Sequence, residues 1–197
     1  MLLYNNQLSG NCYKVRLLFA HLGIEYEKRE VDVFERHERD ELLGDLNPAL
    51  RVPTVVLDDG KALAESDAIL FYFAEGTEYL PEDRYERAQV LQWLFFEQYS
   101  HEPYIAVARF WTHARITPGA SEFEEKLRGG NAALKAMDKH LAGRQFLVAD
   151  RYSIADIALY AYTHVAPEGR FDLHPYEAVN AWLERVASQP GHIPLDA

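Results

Sequence analysis

Asn47-Pro48-Ala49-Leu50-Arg51-Val52-Pro53-Thr54-Val55-Val56-Leu57-Asp58-Asp59-Gly60-Lys61-Ala62-Leu63-Ala64-Glu65-Ser66 is the stretch on which the fold of this chain turns. Two short apolar runs, Thr54-Val55-Val56-Leu57 and Lys61-Ala62-Leu63, flank an Asp-Gly turn, a strong local signal for a β-hairpin. Proline cannot donate to a strand ladder, so Pro53 marks a chain reversal or the start of the first hairpin strand. Ser66 suits the N-cap of a helix running to Glu75, with Ile69, Leu70 and Phe73 on its apolar face.

Upstream of the hairpin, extended and helical patterns alternate. Leu2-Leu3-Tyr4 reads as a strand. Val15, Leu17, Leu18, Phe19 and Leu22 recur at helical spacing from Asn11 to Leu22, and Gly23 supplies the stop. Glu25 to Val33 suits a half-buried strand, and Glu38 to Leu46 a short charged helix. The order is β-α-β-α-β-β-α. The segment Gly76 to Arg84, with Pro81, breaks the pattern, which places a linker at 78–84 between domains spanning 1–77 and 85–197. Beyond it only helices are expected. One runs from Tyr85 to about His113, bent near Pro103, and one from Ser121 to Leu141, weakened by Gly129-Gly130. A third opens at the capping box Ser153-Ile154-Ala155-Asp156, and a fourth spans Tyr176 to Ala187. The fold class is a mixed α/β half followed by an all-α half.

Composition sets limits on function. Nearly half of the 197 residues are hydrophobic, enough for a packed core. A formal charge of -11 argues against nucleic acid and anionic lipid as partners. No apolar run approaches the roughly 18 residues of a membrane span, and the first residues do not read as a signal peptide. The single cysteine, Cys12, has no intramolecular partner, which fits a reducing cytoplasm. The eight histidines are scattered without ligand spacing, so no metal is expected, and no phosphate loop or dinucleotide fingerprint occurs.

The order of elements, the run Asn47 to Pro53 and the Glu65-Ser66 step together resemble the cytosolic glutathione transferase family over essentially the whole chain. The resemblance implies a thioredoxin-like βαβαββα domain that binds glutathione as co-substrate. It also implies an all-helical domain that contributes the second substrate's pocket, and a homodimer. Pro53 would be cis, and Val52 would pair through its backbone with the cysteinyl residue of glutathione. The N–H groups at Ser66 form an anion site at a helix start, suited to the γ-glutamyl carboxylate, and Glu65 would accept from the neighbouring ammonium. Arg51 falls where the family contacts the glycyl carboxylate, and its planar fork suits that group.

The family's chemistry needs glutathione as thiolate. Holding a thiol of pKa about 8.5 ionised at neutral pH takes a shift worth nearly 3 kcal/mol. One charge-assisted hydrogen bond at about 1.5–3 kcal/mol, with a helix N-terminus, is sufficient. In Ser9-Gly10-Asn11-Cys12-Tyr13-Lys14, Ser9 matches the catalytic serine of theta- and delta-like transferases, and Asn11 the asparagine of the bacterial Nu-like group. Both also favour turns and caps on their own. Cys12 competes with them, because a helix start lowers a thiol pKa, although a lone cysteine also serves as a small core residue. Tyr13, Tyr104, Arg109, Phe110 and Trp111 are candidates for the acceptor wall, and His101-Glu102-Pro103 reads as a solvated helix bend. Three activities stay open: conjugation to a small apolar electrophile, reduction of disulfides through bound glutathione, and glutathione binding with little turnover.

Overall fold

Four strands form one mixed sheet in the order β2-β1-β3-β4, with β1 at Leu2–Asn5, β2 at Glu27–Glu30, β3 at Thr54–Val56 and β4 at Ala62–Ala64. The computed structural model describes residues 1–197, without the side chain of Arg36. Helix α1 (Gly10–Leu22) is the crossover that makes β1 and β2 parallel, while β3 runs antiparallel to both β1 and β4. Gly60 closes the hairpin at φ +83, the left-handed conformation that the Asp-Gly signal anticipates.

The strand period of two sends neighbouring residues of β1 to opposite faces. On one face Leu3 packs with Val15, Phe19, Val55 and Ile69, drawing in α1 and α3 (Ser66–Ala74). On the other, Tyr4 packs with Val31 and Leu43, the last from α2 (Arg36–Leu43). Tyr4 is therefore a core residue. Three sequence expectations change here. Strand β2 is wholly exposed, not half-buried, because it is an edge strand paired only with β1. Helix α2 lies two residues earlier than expected at its start and ends before Gly44. Ser66 is the first helical residue of α3, not its N-cap; that position belongs to Glu65 at φ +67.

The chain forms two compact units. The first comprises Met1–Glu75 together with Pro190–Ala197, and the second Gly76–Gln189. The segment 190–197, counted with the helical half in the sequence reading, joins the first unit because its backbone carbonyls are hydrogen-bonded by side chains of that unit. Arg16 Nη2 donates to Leu195 O at 2.6 Å, Tyr13 Oη to Ile193 O at 2.7 Å, and Gln7 Nε2 to Ala197 O at 2.7 Å.

The second unit is helical, and the long helix expected from Tyr85 to His113 is interrupted. Helix α4 (Arg84–Phe96) passes through a π-helical turn, Glu97–His101, into α5 (Glu102–His113). Pro103 has no N–H for the carbonyl four residues back and its ring would crowd it, and the wider π turn accommodates that loss. The same turn carries Glu97 and His101 inward, both fully buried, which replaces the solvated bend expected there. Thr163 donates its hydroxyl proton to Leu159 O at 2.6 Å, so His101 Nε2, 2.9 Å from Thr163 Oγ1, is the donor of that pair.

Helix α6 (Ala120–Leu141) is continuous through Gly129-Gly130. The glycines are there for close approach. A Cβ on Gly129 would meet the Tyr104 ring at 2.2 Å, and one on Gly130 the Phe171 ring at 2.3 Å. Helix α7 (Ile154–Thr163) is buried along its whole length, and Ser153 with Asp156 forms the expected capping box. Asp156 does more than cap. It also accepts from Leu147 N at 3.0 Å and from Trp182 Nε1 at 2.9 Å, tying the preceding loop and α8 (Glu177–Ala187) to one carboxylate. Among the described residues no helix is long and apolar enough to cross a membrane.

Alanine at Gly129 gains about 1 kcal/mol of helix propensity on paper. The Tyr104 clash reverses the sign, and Gly129→Ala should unfold at lower urea than the parent by circular dichroism. Burial pushes the Asp156 carboxyl up to about 6 despite the hydrogen bonds that favour its charge. A folded-state value above the unfolded one gives stability that is full below about pH 4 and lost as pH rises through about 6. Urea midpoints measured from pH 7 to pH 4 should show this gain in the parent relative to Asp156→Asn. Parallel curves for the two proteins would refute it.

Candidate functional site

The sheet register gathers the sequence-nominated residues at one edge. Tyr4 pairs with Thr54, and Thr54 with Ala64, so the end of β1, the start of β3 and the end of β4 lie side by side. Three segments leave from that edge: Asn6–Asn11 after β1, Arg51-Val52-Pro53 before β3, and Glu65-Ser66 after β4.

The middle segment holds the cis peptide Val52-Pro53. Asn47, nearly buried, fixes the turn that precedes it. Its Nδ2 donates to Arg51 O at 3.0 Å and Thr54 Oγ1 at 3.1 Å, and its Oδ1 accepts from Ala49 N at 3.0 Å. Thr54 Oγ1 closes the loop by donating to Arg51 O at 2.9 Å. Asn47 and Thr54 were not singled out in the sequence, although an Asn-Pro step shortly before a second proline is a recognisable turn pattern. Among the described residues, no intrachain hydrogen bond engages the backbone of Val52. Arg51 is exposed, with no ion-pair partner in the chain among the described residues.

At the third segment, Glu65 is exposed and Ser66 is buried. The first N–H to return into α3 is that of Ile69, which bonds Glu65 O at 3.0 Å. The N–H groups of Ser66, Asp67 and Ala68 therefore precede intrahelical bonding and carry the positive end of the helix dipole. Left-handed backbone at a non-glycine residue stores strain, and here it sits at Glu65, directly before those N–H groups.

At the first segment, Ser9 is the N-cap of α1: its Oγ accepts from Cys12 N at 3.3 Å, and its backbone O from Tyr13 N at 2.9 Å. Asn11 occupies the first turn and receives a hydrogen bond from Ser66 Oγ on its Oδ1 at 3.2 Å. That bond joins the first and third segments directly. Arg51 makes no hydrogen bond to either of them.

Cys12 is fully buried and accepts from Asn6 N at 3.3 Å. Burial pushes its thiol up to about 11, so it is neutral at physiological pH and does not compete as a thiolate. Lys14 and Asp67, which sequence reasoning missed, lie beneath the site. Lys14, fully buried, donates from Nζ to Asp67 Oδ1 at 3.0 Å and to Ser66 Oγ at 3.2 Å.

The proposed acceptor-wall residues divide. Tyr13 is fully buried, its hydroxyl held by Ile193 O, so it offers no open wall. Arg109 is buried and paired with Glu168 at 2.6 Å, and Tyr104 packs over Gly129. Phe110 is exposed, while Trp111 lines a cleft within the helical unit together with Ile116, Phe123 and Arg170.

The two units have counterparts among known proteins. Residues 8–75 match the family model for the glutathione S-transferase N-terminal domain, and residues 88–190 that for the C-terminal domain. A solved glutathione S-transferase from Pseudomonas fluorescens superposes with a TM-score of 0.95 at 47% identity, over 98% of each chain. The disulfide-bond oxidoreductase YfcG of Escherichia coli is 31% identical over 91% of this chain and 87% of its own. Glutathione S-transferase D7 of Anopheles gambiae is 32% identical over 96% and 88%, respectively. With a thioredoxin-like unit, a helical unit and both domain models matched in order, the chain belongs to the glutathione S-transferase family.

Proposed function

We propose that this protein binds glutathione along the sheet edge and uses its thiolate as a nucleophile on small apolar electrophiles. The observation that carries the reading is the Ser66–Asn11 hydrogen bond, which joins an anion-binding helix start to the helix start suited to a thiolate. In this arrangement the N–H groups at Ser66 hold the γ-glutamyl carboxylate and Glu65 accepts from its ammonium. Val52, preceding Pro53, pairs with the cysteinyl backbone, and Arg51 meets the glycyl carboxylate. Ser9 and Asn11 then donate to the sulfur, supplying the roughly 3 kcal/mol that ionisation near neutral pH requires. The sulfur attacks the electrophilic carbon, the leaving group departs with the bonding electrons, and the thiol proton goes to solvent.

A second reading has its own support. One similar protein is named a disulfide-bond oxidoreductase, and Ser9-x-Asn11 is the pattern that the Nu-like resemblance rests on. With Cys12 buried and neutral, such a reaction would run through two glutathione molecules, not a protein thiol. Turnover with a haloarene and none with a glutathione-linked disulfide supports conjugation, and the reverse supports reduction. Glu65→Gln keeps the backbone and removes the charge. It should weaken glutathione binding about tenfold by calorimetry, and unchanged affinity would sink the site assignment.

We also propose a cytoplasmic homodimer. A single buried cysteine fits a reducing compartment. Exposed aromatic residues Tyr85, Phe95 and Tyr99 recur along α4 and the π turn, a surface that a second copy would cover. Light scattering at micromolar concentration should give twice the chain mass, falling to the chain mass in Phe95→Glu/Tyr99→Glu. A parent protein that is monomeric would overturn this.

A further inference from the structure

We propose that Lys14 is a positioning residue that sets the direction of the hydrogen-bond chain Lys14–Ser66–Asn11, and thereby turns the Asn11 amide so that its N–H donors serve the thiolate. The proposal rests on the reading of Asn11 as a thiolate donor given above.

The chain has a direction because its first member can only donate. An ammonium has three donors and no acceptor, so Lys14 Nζ, 3.2 Å from Ser66 Oγ, occupies a lone pair of that oxygen. Asp67 Oδ1, 3.0 Å from the same nitrogen, is the opposite charge beside this buried lysine. The hydroxyl proton of Ser66 is then directed to the acceptor beside it, Asn11 Oδ1 at 3.2 Å. An amide that presents its oxygen to Ser66 presents its Nδ2 on the other branch. A carboxamide flips at little cost when its partners are indifferent. With its oxygen committed, the flip is resisted and the sulfur meets a donor instead of an acceptor.

The same accounting assigns the carboxylate of glutathione to the backbone N–H groups of α3. The Ser66 hydroxyl has one proton, and Asn11 receives it. Ser66 thus serves the two ends of the peptide through different atoms: main chain at the carboxylate, side chain at the sulfur. Ser9 is not in the relay, since its Oγ is engaged as the cap of α1.

The test is the ionisation of bound glutathione, followed by thiolate ultraviolet absorbance against pH at saturating peptide with the full chain. Asn11→Ala and Lys14→Met should each raise the ionisation midpoint, by about half to one pH unit. The double variant should show no more than the Asn11→Ala shift, because a residue acting through Asn11 adds nothing once Asn11 is gone. An unchanged midpoint in Lys14→Met, or a shift that adds in full to that of Asn11→Ala, overturns the relay; full additivity would mark a direct charge effect. If Lys14→Met does not fold, Ser66→Ala breaks the same chain with the Lys14–Asp67 pair intact, and the same two criteria apply. An unchanged midpoint in Asn11→Ala overturns the parent reading and the relay with it. A shift in Asn11→Ala with none in Lys14→Met, or in its Ser66→Ala substitute, overturns the relay alone.

Discussion

The register of three strands is the constraint on which the site depends. Tyr4, Thr54 and Ala64 lie abreast across β1, β3 and β4, so the three segments that leave these strands emerge together. A slip of one residue would turn every side chain of a strand to the opposite face. It would exchange Leu3 for Tyr4 in the two cores and carry the segments out of reach of each other. Leu3, Val55 and Ile69 on one face, with Tyr4, Val31 and Leu43 on the other, make that slip costly. The apolar residues on both faces of this small sheet are what hold polar groups at its edge.

Buried polar groups then do the finer placement, in both units. Asn47 shapes the loop before Pro53 by donating to Arg51 and Thr54 and accepting from Ala49. Asp156 does the corresponding work in the helical unit, where one carboxylate collects donors from its own cap, a preceding loop and Trp182. Each of these groups has several partners, and such networks fix one arrangement among many compact ones.

The hairpin and the capping box were legible in the sequence because their chemistry is local: an Asp-Gly turn and a Ser-x-x-Asp cap carry their own geometry. The exact start of α3 was not, since placing Glu65 at φ +67 is a tertiary constraint with no glycine to announce it. Lys14 was passed over because a lysine on an amphipathic helix reads as solvated. Its burial follows from packing that periodicity does not encode, with every position of α1 from Cys12 to Phe19 enclosed. The π turn was similarly hidden. Pro103 announced a bend, but not the inward rotation of Glu97 and His101 that comes with it.

Segment 190–197 makes the helical unit, in terms of connectivity, an insertion into the thioredoxin-like one. Arg16 is almost wholly buried, and its partners are Asn5, the Gln7 carbonyl and the Leu195 carbonyl. The last of these is 179 residues away along the chain. A ribosome would therefore complete the helical unit before the guanidinium finds its final acceptor. The loop that leads into Ser9 is braced by a carbonyl made near the other end of the sequence. Division of the chain at Glu75 would separate a buried cation from its counterpart. The two halves of this fold are structurally distinct, yet the first of them is finished last.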